Sequence, residues 1–176
     1  MALNRKSAYI DLTTGDIETK AIPLAIRRRF WGGRGLDAYL LYNHTKKGCD
    51  PLGPHNTLLI SGGILTATCA SATARTHVMA KSPLTGMLGS TNMGGFFAPE
   101  LAWAGFHHLV IKGKAKHPVY ISIHNGEIEI RDARGIWGQS VTDTQWAIRE
   151  DLGDEEVKSC VCGPAGENLV AFANVM

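Results

Sequence analysis

The chain has 176 residues, 44% of them hydrophobic and 19% charged, with a formal net charge of +2. That length carries one domain with a sizeable core, and the composition excludes wholesale disorder. The charge is too small to point to nucleic acid or an anionic membrane, no apolar leader opens the sequence, and no stretch reaches transmembrane length, so a cytoplasmic protein is expected.

Ser7 to Ala21 alternates on either side of Thr14-Gly15 and predicts a β-hairpin. After Pro23, L-A-I-R-R-R-F predicts a short helical turn with Arg27, Arg28 and Arg29 in solvent. Consecutive residues point in different directions, which favours a solvated face over a phosphate patch. Gly32-Gly33-Arg34-Gly35 then opens a helix through Leu36, Tyr39 and Leu40. Such a turn either receives an anion on its free N–H groups or packs a strand tightly against a helix. It is neither a Walker loop nor a G-x-G-x-x-G fingerprint.

N-T-L-L-I-S-G-G predicts a buried strand ending at Gly62-Gly63. Phe97 to Phe106 predicts a short helix with Pro99 in its first turn and Gly105 closing it. His107-His108 leads into a further strand; the two rings point to opposite faces and make a poor chelating pair, so structural histidines are expected. Val119 to Asp132 predicts a hairpin turning at Asn125-Gly126. Thr142 to Leu152 predicts a helix capped by Ser140 or Thr142. Val157 to Cys162 predicts a strand, G-P-A-G-E-N a tight turn, and L-V-A-F-A-N-V-M a last strand. Of the four cysteines, Cys49, Cys69, Cys160 and Cys162, no two are spaced C-x2-C, which argues against a zinc ribbon or a local iron–sulfur motif. Buried thiols in a reducing compartment are expected, with Cys160 and Cys162 on one strand face.

Between the middle strands runs Ala74 to Gly95, the stretch with the most chemistry. It holds the cations Arg75 and Lys81, the turns Ser82-Pro83 and Thr85-Gly86, and exposable backbone amides from Asn92 to Gly95. Gly94-Gly95 lets the chain pass close to a bulky ligand because no Cβ intervenes. Lys81 reads better as a surface turn lysine than as a second cation of the site.

Tyr9 to Lys20 aligns without a gap to Tyr120 to Arg131. Each hairpin is followed by Trp-Gly (Trp31-Gly32, Trp137-Gly138), a helix, and a strand ending in Gly (Gly62, Gly163). This order predicts an internal duplication, with approximate repeats 7–115 and 117–176. The second copy's counterpart of the Arg75–Gly95 loop is expected beyond Met176, so residues 1–176 are expected to be one incomplete domain.

Arg75 to Gly86 (R-x5-K-S-P-L-T-G), Asn92 to Leu101, Ala104 to Ala115, Ile128 to Gly138 and Gly163 to Ala173 together resemble the amino-terminal domain of the aldehyde ferredoxin oxidoreductase family. The resemblance covers nearly the whole chain, in order. It implies an α+β fold, internally duplicated as a pseudo-two-fold β-sheet platform with short helices, its second repeat truncated here. It also implies a tungsten atom (molybdenum in some relatives) held by two pterins, next to a [4Fe–4S] cluster that this chain does not ligate. A magnesium ion joins the pterin phosphates in that family, with one backbone carbonyl ligand corresponding to Asn92. Arg75 matches the arginine between pterin and cluster, and Gly94 and Gly95 match the loop beside the cofactor.

The implied parent reaction oxidises an aldehyde to a carboxylic acid and passes the electrons to ferredoxin. No catalytic acid or base lies in this chain, so the isolated chain is expected to be inactive. Its partners would be the remaining domains or a complementary subunit, in a homo- or hetero-oligomer. Two alternatives stand beside this reading: the same domain of a class II benzoyl-CoA reductase catalytic subunit, and a cofactor-free binding or assembly module. One departure is local: where the family carries G-P-L-T-G, this chain reads Gly63-Ile64-Leu65-Thr66-Ala67.

Overall fold

The computed structural model describes residues 6–176. The first hairpin forms as β1 (Lys6–Asp11) and β2 (Asp16–Ala21), followed by α1 (Leu24–Phe30) and α2 (Gly33–His44). Then come β3 (Leu58–Gly62), β4 (Thr76–Lys81), β5 (Leu88–Met93), α3 (Phe97–Trp103) and β6 (Phe106–Lys112). The second hairpin is β7 (Val119–His124) and β8 (Glu127–Asp132), and α4 (Val141–Leu152) and α5 (Gly163–Glu167) close the order.

Six strands make one mixed sheet in the order β2-β1-β6-β3-β4-β5. Among the described residues only β1 and β6 pair in parallel; the other ladders are antiparallel. The mixed sheet and its helices make the α+β class expected from the sequence. Strand alternation divides the apolar residues between two faces. Ala8, Ile10, Ile60, Val78, Leu109 and Ile111 face α3 and the isoleucines of β7–β8. Leu59, Met79 and Val110 face the opposite way and pack on Leu36, Leu40 and Leu41 of α2. Burial of each such side chain contributes about 2 kcal/mol, which is what fixes α2 on this face.

β7–β8 forms a separate two-stranded sheet, turning at Asn125-Gly126, both with positive φ. The aligned hairpins pair in registers two residues apart: Tyr9 lies opposite Glu18, whereas Tyr120 lies opposite Arg131. Ser140 caps α4 by accepting from the Asp143 N–H at 3.2 Å.

The carboxy-terminal region differs from the sequence expectation. Residues 157–162 and 169–176 are not strands; Val161 and Met176 exchange two backbone hydrogen bonds, at 2.8 and 2.9 Å, and the pairing goes no further. A strand needs a neighbouring ladder over several residues, and the two-stranded β7–β8 sheet provides none here. G-P-A-G-E is a short helix, not a tight turn, with Pro164 in the first turn where its missing N–H costs nothing. Cys160 and Cys162 therefore do not share a strand face. Only Cys49 is buried; Cys69 and Cys162 are exposed, and Cys160 is half-buried, its thiol pushed up to about 11 by burial. Arg27 is also a correction, since it is buried at 6% exposure while Arg28 and Arg29 are exposed. No helix of the described residues is long and apolar enough to cross a membrane.

Candidate functional site

The face of the sheet beneath α2 is apolar at Leu59, Met79 and Val110, and one line of polar residues crosses it. Ser7 of β1 lies opposite His108 of β6, which lies opposite Ser61 of β3; Ser61 lies opposite His77 of β4, and His77 opposite Asn92 of β5. Cross-strand partners share a face, so these five residues form a polar row running from the core to the edge strand. The first four are buried and Asn92 is exposed.

Asp37 of α2 sits over this row, fully buried at 0% exposure. It follows Leu36 on the helix face that packs into the core, a place where a carboxylate needs partners. Ser61 Oγ–H donates to Asp37 Oδ2 at 2.5 Å, and His77 Nδ1 lies 2.5 Å from the same oxygen. His108 Nε2 faces Asp37 Oδ1 at 3.5 Å. Burial raises the Asp37 carboxyl above its ordinary range, while the His77 and Ser61 hydrogen bonds hold it back. Burial, with Arg27 and the other histidines nearby, lowers His108 to about 3, so its ring is neutral.

The outer end of the row opens into a recess of about 380 Å³, lined by Gly33, Arg34, Thr73, Arg75, His77 and Asn92 together with the 63–66 turn. Arg75 immediately precedes β4, and Asn92 lies on β5, the edge of the sheet, so the ladder brings the two into one concavity. Gly94 and Gly95 follow the end of β5 and do not line it. A Cβ at either would meet nothing within 4 Å, so internal packing does not demand glycine there, although Gly95 has φ +87°. Lys81 points elsewhere: its Nζ donates to the Cys49 carbonyl at 2.6 Å and ties down the loop after α2.

No carboxylate lines the recess. Arg75 has no ion-pair or hydrogen-bond partner among the described residues, and the first turn of α2, at Gly33 and Arg34, carries no side-chain cap. Two guanidinium groups and the positive end of a helix dipole are a combination chemically suited to an anion. The opposite wall is a loop folded on its own threonines: Thr66 Oγ1 donates to the Thr73 carbonyl at 2.7 Å, and Thr73 Oγ1 to the Leu65 carbonyl at 3.0 Å. Two alanines of that loop, Ala67 and Ala72, hold φ of 58° and 59°. A left-handed conformation is costly for any residue with a Cβ, so strain is stored beside the recess.

Arg34 adds a feature that the glycine-rich motif concealed. Its Nε–H donates to Ser90 Oγ at 3.2 Å, and Ser90 Oγ lies 2.9 Å from His77 Nε2. The one signal for this network in the sequence is the acidic residue in the apolar helix run L-D-A-Y-L-L. Among the described residues no three His, Cys, Asp or Glu side chains could hold a metal ion together. A metal at this recess would therefore come with its own ligand or use backbone oxygens.

The family described as "Aldehyde ferredoxin oxidoreductase, N-terminal domain" matches residues 7–176. The chain is 46% identical to the tungsten-containing aldehyde ferredoxin oxidoreductase of Pyrococcus furiosus, over 95% of its own length and 28% of that protein's. It is 34% identical to the WOR-like subunit of an aliphatic sulfonate oxidoreductase from the same organism, over 99% of its length and 30% of that subunit's. Among solved structures it is similar to the active site complex BamBC of benzoyl coenzyme A reductase in complex with 1,5 dienoyl-CoA. There the TM-score is 0.96 at 34% identity, covering 99% of this chain and 27% of the other.

Proposed function

The chain belongs to the aldehyde ferredoxin oxidoreductase family, through its amino-terminal domain, and from this premise we propose that it is a platform for a tungsten–pterin cofactor. It spans 28% of the length of the Pyrococcus furiosus relative, so the activity proposed is that of a larger assembly. The observation that carries the reading is the recess itself, where Arg75, Arg34 and Asn92 converge with no carboxylate among them. The donor set fits an anionic, phosphate-bearing pterin.

Each residue has a role set by its chemistry. Arg75 places a permanent, forked positive charge at the mouth of the recess, suited to an anionic pterin–metal group and to cluster sulfurs. Asn92 lies on the sheet edge, where half of the strand's carbonyls are left out of the ladder. A carbonyl oxygen is the hard ligand that a magnesium ion between two pterin phosphates prefers. Gly94 and Gly95 leave open space beside the backbone, where a Cβ would otherwise stand between chain and cofactor. When bound, the tungsten–pterin group (molybdenum in some relatives) would supply two-electron oxidation of an aldehyde to a carboxylic acid.

The electrons would leave through a [4Fe–4S] cluster to ferredoxin, in the cytoplasm, with cluster ligands and acid–base residues coming from the remaining domains or a complementary subunit. The internal duplication, with repeats 7–115 and 117–176 of a pseudo-two-fold platform, belongs to the same proposal. The Trp-Gly steps before α2 and α4 support it; the two hairpins differ in register by two residues, and no strand ends at Gly163. A second reading, the same domain in a benzoyl-CoA reductase, is favoured by the BamBC likeness, at lower identity than the aldehyde enzyme.

The test is tungsten and molybdenum analysis of the complex purified with this chain, together with pterin fluorescence after oxidative release. Metal and pterin in proportion to the chain support the platform; a complex with neither leaves the cofactor-free module. Turnover of an aldehyde rather than an aromatic CoA thioester separates the two enzymes.

A further inference from the structure

The hydrogen bonds around Asp37 continue further than burial of a carboxylate requires. Asp37, a fully buried carboxyl group, is served by Ser61 Oγ–H and by the His77 ring at Nδ1. Those two contacts would suffice. Yet the His77 ring spans from Asp37 on one side to Ser90 Oγ on the other, and Ser90 Oγ accepts from Arg34 Nε–H. The polarity is consistent along the whole path. With the His77 proton on Nδ1, Arg34 Nε–H donates to Ser90 Oγ, Ser90 O–H donates to His77 Nε2, and His77 Nδ1–H donates to Asp37 Oδ2. The buried carboxylate thus selects one imidazole tautomer, and that tautomer orients the hydroxyl.

We propose that Asp37, His77 and Ser90 form a positioning relay that holds Arg34 as the second phosphate-binding cation of the recess. Arg34 is exposed on the first turn of α2, and a long side chain there would otherwise sample many rotamers. With Nε fixed on Ser90, the guanidinium plane is set, and its Nη groups remain for a ligand. Arg34 and Arg75 approach the recess from two different elements, α2 and the start of β4, as a clamp on a phosphate oxygen set does. The inference rests on the platform reading only for the source of the phosphate, a pterin rather than a free ion. His77, Ser90 and Asp37 are positioning residues; Arg34 is the binding one.

The experiment titrates inorganic phosphate into the full chain, followed by the side-chain N–H resonances of arginine, for Arg34→Ala, Ser90→Ala, Ser90→Thr and Arg75→Ala, with urea stability measured alongside. Loss of a charge-assisted hydrogen bond predicts roughly tenfold weaker binding for Arg34→Ala. Ser90→Ala is expected to weaken it by about threefold and to free the Arg34 Nε–H, without a matching loss of stability, because the Asp37–His77 pair stays intact. Ser90→Thr keeps the hydroxyl and restores binding. Unchanged affinity in Ser90→Ala, equal loss in Ser90→Thr, or no phosphate binding by the parent chain would each overturn the relay. Pterin content of the purified complex separates the two proposals. Loss in Arg75→Ala but not in Ser90→Ala refutes the relay and leaves the platform. The phosphate pattern in a complex that carries no pterin refutes the platform and leaves the relay.

Discussion

His77 Nδ1 lies 2.5 Å from Oδ2 of Asp37, and neither residue is more than 4% exposed. A carboxylate in that position is tolerated because helix α2 and strands β3 and β4 deliver a hydroxyl and an imidazole to the same oxygen. The alternation of the strands is what makes this possible, since Ser61 and His77 are cross-strand partners on the α2 face. The pair therefore ties the helix that opens the recess to the strand that Arg75 leads into.

Removing the carboxylate should be costly. Asp37→Ala leaves His77 Nδ1 and Ser61 Oγ without their acceptor in a dry core, and is expected to destabilise the chain by about 3 kcal/mol. Urea denaturation of the variant measures this, and a loss under about 1 kcal/mol would show that the network is not what holds α2.

The row also makes stability depend on pH. Folded His108 titrates at about 3, against 6.5 for a free side chain. Between those values the unfolded chain binds the extra proton, so stability rises with pH across the window and is lost as pH falls from 6.5 towards 3. Asp37 acts in the opposite sense: its raised pKa makes the folded state hold a proton longer, so its contribution declines as pH rises above 3.8. His108→Asn removes the first effect alone. The parent's stability should fall more steeply than the variant's on acidification, by about 1 kcal/mol per pH unit near pH 5 to 6. Equal slopes would contradict the neutral assignment of His108.

The strain in the recess wall gives a third outcome. Ala67 holds φ 58° at the position where the family turn carries glycine. Ala67→Gly relieves the Cβ contact in a left-handed residue and is expected to stabilise the chain by about 1 kcal/mol, offset in part by unfolded-state entropy. Thermal or urea denaturation checks it, and a destabilised variant would place the strain elsewhere.

Local signals explain which features were legible in the sequence. Asn125-Gly126, Ser140 ahead of α4 and the alternating residues of β1–β2 act through neighbours in the chain, and each formed where expected. The family motif named Arg75 and Asn92 together, and both line one recess at the start of β4 and on β5. Long-range partners were not legible. The stretch from Val157 to Cys162 has strand-like residues, but no ladder receives it, and Pro164 begins a helix instead. Arg27 looked like one of three solvated arginines, yet its place on α1 turns it into the core. Asp37, His77 and Ser90 are distant in the chain and join only when β4, β5 and α2 meet, so no spacing announced them.

The central claim is that this chain seats a metal–pterin cofactor through Arg75. Its most direct test is the tungsten and pterin content, per chain, of the complex purified with the parent sequence and with Arg75→Ala. The platform predicts stoichiometric tungsten and pterin in the first and a marked loss in the second, with the chain still folded. Equal content in both would contradict the role of Arg75, and absence of pterin from the parent complex would contradict the platform itself.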